Sequence, residues 1–410
     1  MSVQPARAGH TPMRPTSGPR VRASHGFSLI ELTIAASLLL VVTAGLFAML
    51  DPARSALAAS PEVADMHQRL RVVADVLSTD VLMAGAGPPG ERRGGSLIYF
   101  FAPVLPYRSG SEGDSAGSFR TDALTVIYMP PVAAQGAVIG PLHGGTTSIT
   151  IRCVAGSPSG DPLCGFRAGM TAAVFDESGS RELFRIESAV GAVLAVRREG
   201  ESSGRTYGDG SRVAQVVSRA YFLKTDPSTQ STQLTSADAG GSAVPVADHV
   251  VGLGFEYAGD SMPPLVRGPD ERADGPLTTY GPRPPGPDVR ESDFPPGENC
   301  IFSRAAESGL SLPRLSTLGD ISTPLVPLTR ERLTDGPWCP DPASPQRFDA
   351  DLLRVRRVGL RLRVQAASAA LRGPVSTLFR YGGTARHADR LVPDVEWRFD
   401  LAPRNMQSWR

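Results

Sequence analysis

The chain has 410 residues, enough for one large or two ordinary domains with a full core, and a formal net charge of +1. So balanced a charge excludes a global field as the basis for holding nucleic acid or an acidic partner. With 43 glycines and 37 prolines against 6% aromatics, the composition favours a turn-rich architecture over a helical bundle.

Residues 1–24 carry Arg7, Arg14, Arg20 and Arg22, no acid, and no hydrophobic period. They read as a basic tail and not as part of a fold. From Phe27 to Leu50 the only charge is Glu31. As a helix this run spans about 36 Å, enough for a hydrocarbon core of about 30 Å. Arginine precedes the run and none follows until Arg54, which sets the N-terminus in the cytoplasm and the bulk outside. A signal peptide cleaved after Ala56-Leu57-Ala58 competes, but its apolar region would be too long. A plain anchor fits the length and leaves Gly26 and Glu31 without a reason, because a carboxylate in hydrocarbon is costly.

The segment Gly26-Phe27-Ser28-Leu29-Ile30-Glu31 resembles the processing site of type IV prepilins and pseudopilins. The resemblance implies cleavage after Gly26 by a prepilin peptidase and N-methylation of the new terminal Phe27. It also implies an assembly role for Glu31, four residues past that phenylalanine. The leader, 1–26, is longer than in many members of the family.

Beyond Asp51-Pro52, Val63, Met66, Leu70, Val73 and Leu77 recur at spacings of three and four, which predicts an amphipathic helix over 51–87. Ser60-Pro61 reads as an N-cap and first turn, and Pro52 and Pro61 are expected to kink or interrupt the rod. Gly85 and Gly87 are expected to end it.

From Ser96 onward the period becomes two, within a β-rich globular domain expected over 88–410. Strands are expected in 122–129, at Ser148–Cys153, Thr171–Phe175, Glu182–Ile186, Ala192–Val196, Val213–Phe222 and Val250–Tyr257, around Leu360–Val364, and at Val395–Leu401. One apolar and one charged face predicts antiparallel sheet with one wet side. Between about 258 and 350 regularity fails, with ten prolines in 261–296, and the stretch reads as a long surface insertion.

Four cysteines allow three connectivities, of which the local one, Cys153–Cys164 with Cys300–Cys339, is favoured if the domain is exported. None has the spacing of a zinc ligand set.

The order of LSTDVLMAGAG, SRVAQVVSRAYFL, VADHVVGLGFEY, VRRVGLRLRV and VEWRFDLAPRNM is similar to that of landmarks in PilW-type minor pilins, relatives of the J-type minor pseudopilin of type II secretion. The implied fold is α+β and pilin-like: a long N-terminal helix, transmembrane over 27–50 and amphipathic over 51–87, packed on an antiparallel β-rich periplasmic domain.

Two enzyme-like motifs fail on context. Gly85–Gly90 fits GxGxxG but follows a helix, and its prolines remove amides a pyrophosphate would need. Gly200–Gly204 fits GxSxG, but RTYGDGSRV cannot begin the helix of a nucleophile elbow. His10, His25, His67, His143, His249 and His387 are scattered, and His249 beside Asp248 reads as a surface residue. No catalytic residue, cofactor, metal or small-molecule substrate is expected. Arg354, Arg356, Arg357, Arg361 and Arg363 raise the question of nucleic acid, and their alternation reads as a solvated sheet face.

The leading expectation is therefore a minor pilin or pseudopilin that initiates or caps a type IV pilus or secretion pseudopilus. Its partners would be the prepilin peptidase, sibling subunits and the inner-membrane assembly platform. The alternatives are a membrane-anchored or secreted enzyme with a cryptic site, and a tip adhesin or DNA-capture protein.

Overall fold

The computed structural model describes residues 28–88, 95–110, 113–114, 118–157, 160–176, 181–200, 206–260, 302–304, 311–313, 325–334, 350–372 and 392–407. The leader with Gly26 and Phe27, the pair Cys300 and Cys339, residues 201–204 of the GxSxG match and the proline-rich 261–296 lie outside them. By its contacts the chain divides into two units, Met1–Leu57 and Ala58–Arg410.

One helix, α1 (Leu29–Met83), accounts for both predicted helical segments. It runs through Pro52 and Pro61, and Ser60 is interior to it and not a cap. A proline removes one i→i−4 hydrogen bond, and several turns on either side carry the helix across that loss. In the first unit, Leu29–Phe47 is long and apolar enough to cross a membrane, and none of it is buried. In the second unit the pattern narrows to a stripe: Met66, Leu70, Val73, Leu77 and Val81 are fully buried, with Val63 packed beside them. Each such side chain contributes on the order of 1.5–3 kcal/mol by leaving water. Gly85, at φ +81°, turns the chain out of the helix.

The strands follow as β1 (Val104–Leu105), β2 (Ala123–Tyr128), β3 (Gln135–Val138), β4 (Ser148–Cys153), β5 (Thr171–Phe175), β6 (Arg181–Val190), β7 (Val193–Glu199) and β8 (Arg212–Gln215). After these come β9 (Val217–Thr225), β10 (Thr232–Asp238), β11 (Val244–Asp248), β12 (Val250–Gly259), β13 (Phe302–Arg304), β14 (Ser311–Pro313), β15 (Val326–Pro327), a short helix α2 (Arg330–Thr334), β16 (Val355–Val364) and β17 (Val395–Leu401). Among the described residues all pairings are antiparallel: a five-stranded sheet β1-β2-β9-β10-β11, a four-stranded sheet β15-β12-β16-β17, the small pair β13-β14, and a closed barrel β3-β4-β7-β6-β5-β8. The second unit is thus α+β, with the stripe of α1 and both sheets in one apolar cluster.

Besides the expected antiparallel sheets the chain forms a closed barrel. Its interior is a separate cluster that includes Ile149, Ile151, Phe166, Val174, Phe184, Leu194 and Tyr207. Every residue of β5 is buried because its outward side chains also find cover: Phe175 meets Phe100 and Phe101, with ring centroids 5.1 and 5.4 Å apart. The single strand expected over Val213–Phe222 is two. β8 closes the barrel, Val216 passes between, and β9 enters the five-stranded sheet, where Val217 pairs with Tyr128 of β2. Within the expected insertion, Val326, Leu328 and Leu333 are buried, so part of it is docked in the core.

Cys153 and Cys164 are joined by a disulfide that closes the loop after β4 onto the barrel, with Cys164 fully buried. Replacing the pair, Cys153→Ser with Cys164→Ala, is expected to cost about 3 kcal/mol, the loop-closure entropy of a loop of this size. Denaturant unfolding under oxidising conditions measures it, and midpoints that coincide would show the bridge contributes nothing.

Candidate functional site

The first turn of α1 gives Glu31 a local hydrogen-bonding role. The Ser28 N–H donates to Glu31 Oε2 at 2.9 Å, and the Glu31 N–H donates to Ser28 Oγ at 3.2 Å. This is a reciprocal capping box, in which the carboxylate satisfies a backbone donor that the helix leaves unpaired. The S-x-x-E spacing that announces it was legible in the sequence. Around it Leu29, Ile30, Leu32 and Ile34 are exposed. The hydroxyls of the run turn inward on their own helix: Thr33, Ser37 and Thr43 donate to the carbonyls of Ile30, Ile34 and Leu39 at 2.9, 2.9 and 2.6 Å. Such self-satisfied hydroxyls let the surface of the helix enter an apolar medium with no orphaned donor.

A second polar centre, which sequence reasoning missed, sits where α1 ends. Asp80 is buried on the stripe between Leu77 and Val81. It accepts from Tyr128 Oη of β2 at 2.8 Å, Tyr221 Oη of β9 at 2.5 Å and Arg219 Nη1 at 3.0 Å. Arg219 continues to Asp238 of β10 at 2.7 Å. Burial, then the adjacent carboxylate, pushes both phenols well above the ordinary tyrosine range, so they remain donors. Three donors from two strands on one carboxylate fix the rotation of the helix about its axis. An acid in line with an apolar stripe was the available signal.

Of the five arginines read as a solvated sheet face, only Arg357 and Arg361 are exposed. Arg354, Arg356 and Arg363 are buried. Arg354 pairs with Asp351 at 3.1 Å, Arg356 with Asp260 at 2.7 Å, and Arg363 with Asp394 at 3.8 Å. The charges of these three are met by carboxylates inside the fold. Arg357 and Arg361 remain exposed, and Arg357 lies 3.4 Å from Asp400. His249 is partly buried.

The two described glycines of the GxGxxG match spend their amides on the fold: Gly85 N–H donates to Ile127 O at 3.0 Å and Gly87 N–H to Gly95 O at 2.6 Å. A Cβ on Gly87 would stand 2.8 Å from Gly95 O, so close backbone approach explains that glycine. Among the described residues no group of three or more His, Cys, Asp or Glu could hold a metal ion. No family model, curated protein or solved structure matches the chain.

Proposed function

We propose that the chain is a minor pilin or pseudopilin subunit, made as a precursor, cut after Gly26 and held in the inner membrane by the first half of α1. The observation that carries this reading is the start of the helix. A single carboxylate, Glu31, stands in an otherwise apolar exposed helical run, four residues beyond a phenylalanine preceded by glycine. In the second unit the rest of α1 is seated by its stripe on a β-rich fold. The disulfide supports an oxidising compartment for that unit, and the arginine-rich leader supports a cytoplasmic N-terminus. Its work is assembly: after release from the bilayer, the apolar half packs among equivalent helices and the β unit is displayed at or near a filament tip. Prepilin peptidase, sibling minor subunits and the membrane assembly platform are the partners.

Intact-mass analysis of the membrane-extracted protein tests the reading. The expected mature chain begins at Phe27 and carries one N-terminal methyl group. A chain that begins at Ala59, or retains Met1, overturns it.

A further inference from the structure

His249 is the one residue between β11 and β12, where the chain passes from the five-stranded to the four-stranded sheet. It holds a left-handed backbone, φ +59°, which costs a residue with a Cβ and persists only when its surroundings demand it. Its carbonyl accepts from Gln365 N–H at 3.0 Å, and its ring Nδ1 lies 3.0 Å from Arg372 Nη2. Arg372 also donates to the carbonyls of Ala366 and Ala367, at 2.5 and 2.9 Å, and so gathers the segment that follows β16 into a tight loop. Ala367 N–H in turn donates to the Glu62 carboxylate of α1. One connected set of hydrogen bonds therefore runs from the helix, through this loop, to the junction of the two sheets.

A guanidinium only donates, so Nδ1 must accept, and His249 is the neutral tautomer with its proton on Nε2. We propose that His249 is a proton-sensitive latch: its protonation ejects Arg372 and frees the Gln365–Arg372 segment from helix α1. The charged groups around it favour that direction. Arg69 of α1 and Arg372 of the loop oppose a second proton, while Glu62 of α1 and Asp248 of β11 favour it; Arg69 is also tied to Asp65. Burial is the largest cause, followed by Arg69 and Arg372, and together they hold the imidazole below its ordinary value of 6.5. The released form thus binds the proton more readily than the latched form. Latching is complete above about pH 6.5 and weakens as pH falls toward the depressed value. Glu62 lies beside Ala59 and Val63, the first α1 residues packed on the core, so release loosens the first anchorage of the helix.

Hydrogen exchange on the full chain in detergent, corrected for the intrinsic pH dependence of the chemistry, tests the latch. Between about pH 7.5 and pH 5, protection over residues 59–70 and 365–372 is expected to fall about tenfold per unit by which the imidazole is depressed. In His249→Asn, which tolerates the left-handed backbone and offers an amide oxygen to Arg372, protection at the higher pH should match the wild type and should not fall with acid. Unchanged wild-type protection, or an equal acid response in His249→Asn, overturns the proposal. Direct titration of the His249 ring by NMR is the second measurement. A midpoint below 6.5 is expected, and one at or above that value overturns the latch independently of how the variant folds.

Discussion

Asp80→Ala is expected to lower the unfolding free energy of the β-bearing unit by about 3–5 kcal/mol, the cost of leaving buried partners of a removed charge unpaired. Three donors lose their acceptor at once: the Tyr128 and Tyr221 hydroxyls and the Arg219 guanidinium. Arg219 keeps Asp238 and is 30% exposed, so its share is reduced by solvent and the total falls toward the lower figure. Asp80→Asn keeps one acceptor oxygen of nearly the same shape and should cost less, about 1–3 kcal/mol. Denaturant titration of both variants measures the difference. A loss below about 1 kcal/mol for Asp80→Ala would show that the apolar stripe alone positions the helix.

The second large effect concerns Glu31 and separates its two roles. On the proposed processing after Gly26, Phe27 would carry an amine that stays protonated even when singly methylated. An ammonium and a carboxylate inside an apolar bundle are each costly alone and tolerable when paired. Glu31 is already committed to Ser28 as a cap, so a loss of assembly in Glu31→Leu could come from the frayed helix or from the missing charge. Glu31→Gln resolves this, because glutamine serves the capping box equally and carries no charge. Both variants are expected to be cleaved after Gly26 and inserted normally. Both are expected to lose incorporation alongside sibling subunits by about tenfold or more, since neither can neutralise a neighbouring amine. Cross-linking to siblings in membranes provides the measurement. Wild-type incorporation by Glu31→Gln with loss in Glu31→Leu would reduce Glu31 to a helix cap.

What could be read from the sequence followed from local period. The buried stripe Met66, Leu70, Val73 and Leu77 stands where its three-and-four spacing placed it, and β4 and β5 have the expected bounds. The alternation of Val395, Trp397, Phe399 and Leu401 with charged residues also reappears as alternating exposure. Legibility failed where non-local partners decide. Nothing in SRVAQVVSRAYFL marks Val216 as a crossing between two sheets, because its flanks are apolar for different reasons, one facing the barrel and one the helix. β10 and β11 escaped notice because they are polar and half-exposed. The arginines of β16 looked solvated because Asp260 and Asp394, which neutralise two of them, lie far away in the chain. At the helix start the same glutamate satisfied two patterns, and the one noticed was not the one that shows in the geometry.

The pairing of Tyr128 with Val217 has a consequence for how the chain acquires its shape over time. β2 and β9 are central neighbours in the sheet that seats Asp80, yet everything from 129 to 216 is made between them. During synthesis that interval lasts on the order of ten seconds. Throughout it the stripe of α1 waits without β9 and the strands that follow it. The intervening strands need nothing from β9 to pair with one another. Once the barrel has closed, Gln215 N–H donates to Ala134 O at 2.7 Å, and the two ends of the long excursion are already side by side. Bringing β9 to β2 then costs little more entropy than closing a hairpin, although the sequence separation is that of a domain. The barrel thereby acts as a jig for the sheet, and a variant that slows its closure would delay the docking of the helix without touching either surface.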